Sequence, residues 1–169
     1  MNAQTVIKLV LTFVIYLLLQ ILIIRNFVLF DVAFCFVYIA CILLLPNEIT
    51  PTWVIFISFL VGLVIDIFYN TAGVHASAAV LIGYLRSYIL KFLFPTKGLD
   101  TDIIITIKDM GIERFARYIA IMAFLHHTML FFVEAGNVTF FLITILKIVS
   151  SVIFTTVMIL ILQYLRREA

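Results

Sequence analysis

The residues of this sequence with the greatest potential for chemistry are polar side chains within long apolar runs. Asp66 follows Ser58 and Gly62 and precedes Asn70 at constant intervals of four. Residues four apart lie on one face of an α-helix, so these residues form a polar stripe that must face protein or water, not lipid. The next run carries a second stripe at the same interval: His75, Ala79, Gly83 and Ser87. Because small residues at this spacing let helices approach closely, the two runs are predicted to form a tight hairpin.

Three interpretations of Asp66 are open from its position. It is a structural carboxylate that hydrogen-bonds a neighbouring helix or helix end, an ion or proton site, or a contact to a partner subunit. If it forms an ion pair within the chain, Lys147 is the expected partner, because the two residues have similar predicted depths. Arg86 lies about 10 Å deeper at the helical rise per residue. We therefore expect Arg86 to extend toward the cytoplasmic headgroups, or alternatively to contact a partner.

Two adjacent histidines, His126 and His127, raise the question of a metal site. Neighbouring helical residues point about 100° apart, so the two imidazoles are poorly placed to share one ion. His127 and Glu134 are seven apart and share a face, but no cysteine or second carboxylate accompanies them. We therefore expect no metal and no other cofactor. These side chains are predicted to bond across helices or to lie against a partner.

Motifs of common enzyme classes do not occur in the sequence. It has no G-x-S-x-G, Walker loop, H-E-x-x-H or G-x-G-x-x-G pattern. Ser77 is two residues from His75 and points away from it, so the serine–histidine pair of an intramembrane protease is not expected. Cys35 and Cys41 are predicted to be small apolar residues, not a redox pair. The protein is therefore predicted not to be an enzyme.

The composition indicates which elements must position these residues. Of 169 residues, 66% are hydrophobic and 12% are charged, whereas about 25% of residues are charged in an ordinary soluble domain. A bilayer core needs roughly 20 apolar residues per helix. We predict a single all-α domain, 1–169, that is a polytopic integral membrane protein with a six-helix transmembrane bundle. The predicted spans are residues 6–24, 28–45, 53–69, 74–94, 115–133 and 138–165. The first run lacks a small-x-small cleavage site and is predicted to be a retained span, not a signal peptide.

Basic residues predict the orientation of the bundle. Six spans place both termini on one side, together with the loops at 46–51 and 95–114. Seven basic residues fall on that side: Lys8, Lys91, Lys97, Lys108, Arg114, Arg166 and Arg167. The opposite side has only Arg25 in a loop, so the positive-inside rule places both termini in the cytoplasm. The cytoplasmic loop 95–114 is expected to be an interfacial segment or a solvated connector. The net charge of +2 follows from this topology, and no nucleic-acid partner is expected.

The predicted hairpin carries a recognisable pattern. Its parts are Gly62-Leu63-Val64-Ile65-Asp66, Gly73-Val74-His75-Ala76 and Gly83-Tyr84-Leu85-Arg86. Further features are Leu43-Leu44-Leu45-Pro46, Ile107-Lys108-Asp109-Met110-Gly111, and His126-His127 through Glu134. In their order and spacing these segments resemble the rod shape-determining protein MreD family over nearly the whole chain. Arg86 is a departure from the pattern, because it is a charge within a span.

The resemblance implies a non-enzymatic subunit of the bacterial inner (cytoplasmic) membrane. MreD-like proteins are scaffolds of the rod complex, or elongasome, which maintains cell shape and carries out lateral peptidoglycan synthesis. The implied partners are an MreC-like bitopic membrane protein, the actin-like MreB, a SEDS glycosyltransferase and a class B penicillin-binding transpeptidase, with membrane lipid around the bundle. The alternative is the substrate-binding membrane subunit of a small-molecule, vitamin-type transporter, which MreD-like proteins also resemble, although the predicted outer loops are short for a lid. The candidate structural or partner-binding residues are Gly62, Asp66, Asn70, Gly73, His75, Gly83, Arg86, His127, Glu134 and Lys147.

Overall fold

The computed structural model describes residues 3–94, 105–136 and 141–168. Within these ranges the chain is mostly helical, and five helices are long and apolar enough to cross a membrane. The helices are α1 (Ala3–Leu22), α2 (Ile39–Leu43), α3 (Pro51–Tyr69), α4 (Val74–Leu93), α5 (Ile107–Met110), α6 (Ile112–Ala135) and α7 (Phe141–Glu168). All except α2 and α5 are long enough to span a bilayer. This is the architecture of an all-α, multi-pass membrane protein.

Five of the six predicted spans lie on the long helices. The runs 6–24, 53–69, 74–94, 115–133 and 138–165 fall on α1, α3, α4, α6 and α7. The start of the last run, 138–140, lies outside the described residues, as does 95–104 of the predicted loop 95–114. Pro51 is the first residue of α3. At this position a backbone N–H would have no partner within the helix, so a proline, which lacks the N–H, removes no hydrogen bond.

Residues 28–45, the remaining predicted span, are not a continuous helix, and only Ile39–Leu43 (α2) of them is α-helical. Two short strands, Val28–Leu29 (β1) and Ala33–Phe34 (β2), pair in antiparallel fashion. The turn between them has positive φ at Phe30 (55°) and Asp31 (58°), the combination that a tight hairpin turn requires. Aromatic and β-branched residues dominate 32–38, and these favour extended over helical backbone.

We call residues 33–45 the core segment, because they form the centre of the bundle. Every residue from Val37 to Leu43 is at most 1% exposed. Helices α1, α3, α4 and α6 contact α2, and α7 contacts β2. Cys35 and Cys41 are buried in this segment as free thiols. Non-helical backbone at membrane depth is tolerated only inside protein or beside water, so the long helices must supply its hydrogen-bond partners.

Helices α3 and α4 form the tight hairpin that their small residues predict. A Cβ atom added at Gly62 would lie 2.5 Å from Cα of Ala76 and 2.8 Å from the carbonyl oxygen of His75. A Cβ atom added at Gly83 would lie 2.9 Å from Cβ of Ser58. A side chain at Gly62 would force the two backbones apart, and one at Gly83 would displace the side chain of Ser58, so the predicted close approach is confirmed.

The turn between α3 and α4 depends on two further residues of the pattern. Asn70 is exposed and ends α3 in the left-handed conformation, with φ of 56°. Gly73 precedes α4 with φ of 84°. Asn and Gly are the residues that adopt this conformation most readily. Asn70 therefore ends α3 and is exposed at the turn, whereas Ser58, Gly62 and Asp66 of the same stripe are buried.

Candidate functional site

Asp66 lies where α3 ends and α4 begins, with 2% of its surface exposed. Its Oδ1 accepts the backbone N–H of His75 at 3.0 Å and the hydroxyl of Thr71 at 2.5 Å, and its Oδ2 accepts the N–H of Ala76 at 2.9 Å. Gly73, at the N-cap position of α4, has no side chain to bind these amides, so Asp66 caps α4 from the preceding helix. Its charge also lies at the positive end of the α4 dipole. Of the three interpretations, the bond to a helix end is the one observed.

Lys147 does not pair with Asp66, and that hypothesis is wrong. Nζ of Lys147 lies 5.4 Å from the ring centroid of Phe34 and 5.9 Å from that of Phe131. A cation over aromatic faces is attracted by their quadrupoles, while the oxygens of Asp66 are occupied by α4. Lys147 and Glu134 instead line a cleft of about 220 Å³ between α6 and α7. Glu134 is exposed at the end of α6, close to residues 137–140 that lie outside the described ranges.

Arg86 is 2% exposed and does not extend to the headgroups, so that prediction is wrong. Its guanidinium donates to the carbonyl oxygen of Leu43 at 3.5 Å, to that of Leu45, and to Oδ1 of Asn47 at 3.2 Å. The hydroxyl of Tyr118 also donates to the Leu43 carbonyl, at 3.2 Å. These carbonyls lie at the end of α2, where the last acceptors of a helix lack partners within the helix. Arg86 therefore anchors the C-terminal end of the core segment, because the carbonyl oxygens there supply the acceptors that its guanidinium needs.

Hydrogen-bonded rings join four elements at the centre of the bundle. The hydroxyl of Tyr38 lies 3.2 Å from Nδ1 of His75 and 2.6 Å from Nε2 of His126. Nδ1 of His126 lies 3.4 Å from Nδ1 of His127, whose Nε2 lies 3.1 Å from the hydroxyl of Thr155. The prediction that the histidines bond across helices is confirmed. Within the described ranges, no group of three His, Cys, Asp or Glu side chains is arranged to hold a metal ion.

The hydrogen-bond partners of His127 assign its proton. Nδ1 lies 2.6 Å from the carbonyl oxygen of Ala123, which can only accept, so Nδ1 carries the proton. In a neutral ring Nε2 then accepts from the hydroxyl of Thr155. The oxygen of Thr155 in turn accepts the N–H of Phe36 at 3.1 Å. One threonine therefore links the backbone of the core segment to the histidine.

The same reasoning extends to the other rings. A proton on Nδ1 of His126 would point at the protonated Nδ1 of His127, so we assign the proton of His126 to Nε2, which donates to the hydroxyl of Tyr38. The hydroxyl of Tyr38 then donates to Nδ1 of His75. Neutral imidazoles satisfy each of these contacts, and the network fastens the core segment to α4, α6 and α7.

The irregular backbone of the core segment obtains further hydrogen bonds from side chains of α1 and α7. The hydroxyl of Ser151 accepts the N–H of Phe34 at 2.9 Å. Gln20 donates to the carbonyl oxygen of Cys35 at 3.1 Å and accepts the N–H of Tyr38 at 3.4 Å. Such partners are required where no water is present. None of these side chains is among the predicted site residues, although Ser151 and Thr155 are four apart on one face of α7.

The predicted site residues thus occupy three places in the fold. The group around the α3–α4 turn and its close contact comprises Gly62, Asp66, Asn70, Gly73, His75 and Gly83. His127 joins His75 through the ring network, while Arg86 anchors the far end of the core segment. Glu134 and Lys147 line the separate cleft between α6 and α7. No protein-family model, no curated protein and no solved structure matches this chain.

Proposed function

We propose that this chain is a non-enzymatic subunit of a bacterial rod complex, which binds an MreC-like partner in the inner membrane and supports cell shape and lateral peptidoglycan synthesis. The observation that carries the proposal is that the charged groups inside the bundle are occupied by the protein's own backbone. Asp66 binds two amide N–H groups, and Arg86 binds two carbonyl oxygens. A group saturated in this way holds the fold and has little capacity left for a substrate.

The residues that carry the family resemblance support a structural role. Gly62 packs against the backbone of Ala76, and the carboxylate of Asp66 binds the amides of His75 and Ala76. The first two parts of the pattern, 62–66 and 73–76, therefore contact each other. A pattern of this kind specifies a rigid hairpin, which is what a scaffold needs in order to present a fixed surface.

A sixth crossing by the core segment, with both termini in the cytoplasm, belongs to this proposal. Residues 33–36, which begin with β2, cover about 13 Å at roughly 3.3 Å per residue. The turns and the short helix α2 in residues 37–45 add about 13 Å at ~1.5 Å per residue. The total of about 26 Å is close to the ~30 Å thickness of a bilayer core. In support, Ser150 in the first half of α7 binds the carbonyl of Val32, while Arg86 in the second half of α4 binds that of Leu45.

The exposed face of α3 is the surface that we propose for the partner helix. Its side chains recur at intervals of three and four and are 39–70% exposed: Trp53, Phe56, Leu60, Leu63 and Ile67. A stripe at this spacing is the pattern against which a second helix packs. Within a membrane no hydrophobic effect favours association, so side-chain packing must supply the affinity. Large aromatic residues such as Trp53 and Phe56 provide the most contact area.

Photo-cross-linking in cells tests both the partner and the face. A photoreactive amino acid at Phe56 is expected to cross-link to the MreC-like protein of the same organism. The matched control is Ile153 on α7, which is 61% exposed and apolar, and which we expect to cross-link to lipid only. Cross-linking from neither position would contradict the proposed partner, and cross-linking from Ile153 alone would contradict the proposed face.

Depletion of the protein separates this function from vitamin transport. The scaffold role predicts rounded cells in rich medium. A transport subunit predicts cells of normal shape that require an added vitamin. The second result, with an intact MreC-like protein, would contradict our proposal.

A further inference from the structure

A groove runs between α1 and α7 beside the core segment. Its first part, about 190 Å³, is lined by residues that include Lys8, Thr12, Leu44 and Arg166. Its second part, about 270 Å³, lies deeper along the helices and includes Thr12, Leu162 and Arg166. The two parts share Thr12 and Arg166 in their linings, so they adjoin each other along the same pair of helices. Its depth along the helices places most of it at the level of the hydrocarbon core.

The groove is cationic at one end and apolar along its length. Lys8 is in the second turn of α1 and Arg166 is in the last turn of α7, so both cations lie at the same end of the bundle. Among the side chains that the structure describes, which exclude those of residues 167–169, no carboxylate pairs with either of them. Away from this end the walls are apolar side chains: Leu9, Phe13, Ile15, Leu19, Leu44 and Leu162.

We propose that this groove binds an anionic phospholipid, with the phosphate between Lys8 and Arg166 and an acyl chain along the apolar walls. The two cations complement a phosphate, and basic pockets between membrane helices are suited to anionic headgroups. The two parts, of about 190 and 270 Å³, are each smaller than one turn of a helix with side chains, which fills roughly 420 Å³ at a width of about 10 Å and a pitch of 5.4 Å. The neighbouring surface of both helices is apolar and exposed, so a lipid can enter sideways from the bilayer: Leu11 and Leu165 are 55% and 60% exposed.

The floor of the groove is held by a bond between the two helices. Gln163 on α7 donates to the hydroxyl of Tyr16 on α1 at 2.7 Å. Both side chains are buried, at 6% and 5% exposed. The bond keeps α1 and α7 at a fixed separation, so the groove is a feature of the folded chain and does not require a partner to open it.

Native mass spectrometry of the purified chain in detergent tests the proposal with two probes, phosphatidylglycerol and phosphatidylcholine of equal chain length. Each cation near an anionic headgroup contributes about fivefold in affinity, so we expect the first lipid to bind roughly 30-fold more tightly. Lys8→Gln with Arg166→Gln is expected to remove this preference. Lys91→Gln with Lys108→Gln changes the charge by the same amount outside the groove and is expected to preserve it. Equal binding of the two lipids by the unaltered chain would overturn the proposal.

A second pair of variants tests the apolar part of the groove without changing any charge. Leu162→Trp fills the groove and is expected to lower phosphatidylglycerol affinity at least tenfold, whereas Ile161→Trp adds the same bulk on an exposed face and is expected to have no effect. Equal effects of both substitutions would overturn the proposal. Inorganic phosphate that displaces the lipid at comparable concentration would also overturn it, because only the headgroup would then be recognised. The test uses this chain alone, so its outcome is independent of the proposed MreC-like partner.

Discussion

Replacement of Asp66 gives the sharpest test of how the hairpin is held. A buried donor that loses its acceptor costs about 1–3 kcal/mol. Asp66→Ala leaves the amides of His75 and Ala76 unpaired, so we expect a loss of about 2–6 kcal/mol in the free energy of unfolding. Asp66→Asn keeps one acceptor oxygen and should cost about 1–3 kcal/mol by the same reasoning.

The assay is unfolding of the purified protein by SDS in mixed micelles, followed by circular dichroism. Glu134→Gln is the matched control, because Glu134 is an exposed carboxylate at the end of another helix. This substitution should change the free energy of unfolding by no more than about 0.5 kcal/mol. If Asp66→Asn is no more destabilising than Glu134→Gln, the capping role is refuted.

The double variant Asp66→Asn with Lys147→Met separates capping from ion pairing. Lys147 lies over Phe34 and Phe131, so it shares no partner with Asp66. The two substitutions should therefore add to within about 0.5 kcal/mol. A double variant more stable than Asp66→Asn alone would show that the two charges interact after all.

Three further substitutions test the other contacts by the same unfolding measurement. Gly62→Ala should lower the free energy of unfolding by about 1–3 kcal/mol, because its Cβ must displace the backbone of Ala76. Leu63→Ala, on the exposed face of α3, should lower it much less. Equal losses from the two substitutions would contradict the close contact. Arg86→Met should lower the free energy of unfolding by about 2–5 kcal/mol, because the carbonyls at the end of α2 lose their donor. A loss below ~0.5 kcal/mol would instead support the prediction from the sequence that Arg86 extends to the headgroups. Thr155→Val should lower the free energy of unfolding by about 1–3 kcal/mol, because the hydrogen bonds of Thr155 to Phe36 and His127 are lost. Thr155→Ser should lower it markedly less, because serine keeps the hydroxyl. Equal losses would show that the side chain acts through packing and not through these hydrogen bonds.

The long helices and the hairpin between α3 and α4 could be predicted from the sequence alone. Long apolar runs separated by proline, glycine and charge have few alternatives in a bilayer, because only a helix satisfies its own backbone there. The glycine spacing at Gly62 and Gly83 is a local signal of close packing, and the structure has that contact. Asp66 was placed on the correct face, and a helix end was among its expected partners.

The core segment could not be predicted from composition, because its apolar run is as long and as apolar as that of a helical span. Its non-helical backbone is stabilised by residues far away in the chain, such as Ser151 and Thr155, and a local pattern contains no information about them. The contacts of Arg86 could not be predicted for the same reason. Its depth predicts a cation that extends to the headgroups, whereas the carbonyls that it binds exist only because α2 ends inside the bundle.

Stoichiometric co-purification tests the central proposal most directly. The chain would be co-expressed with the MreC-like protein of the same organism, extracted in mild detergent, and the mass of the purified complex determined. The scaffold function predicts a stable complex of fixed stoichiometry, which is weakened when Trp53 and Phe56 are replaced by alanine and retained when Ile153 is replaced. Two well-folded proteins that elute separately would contradict the proposed function.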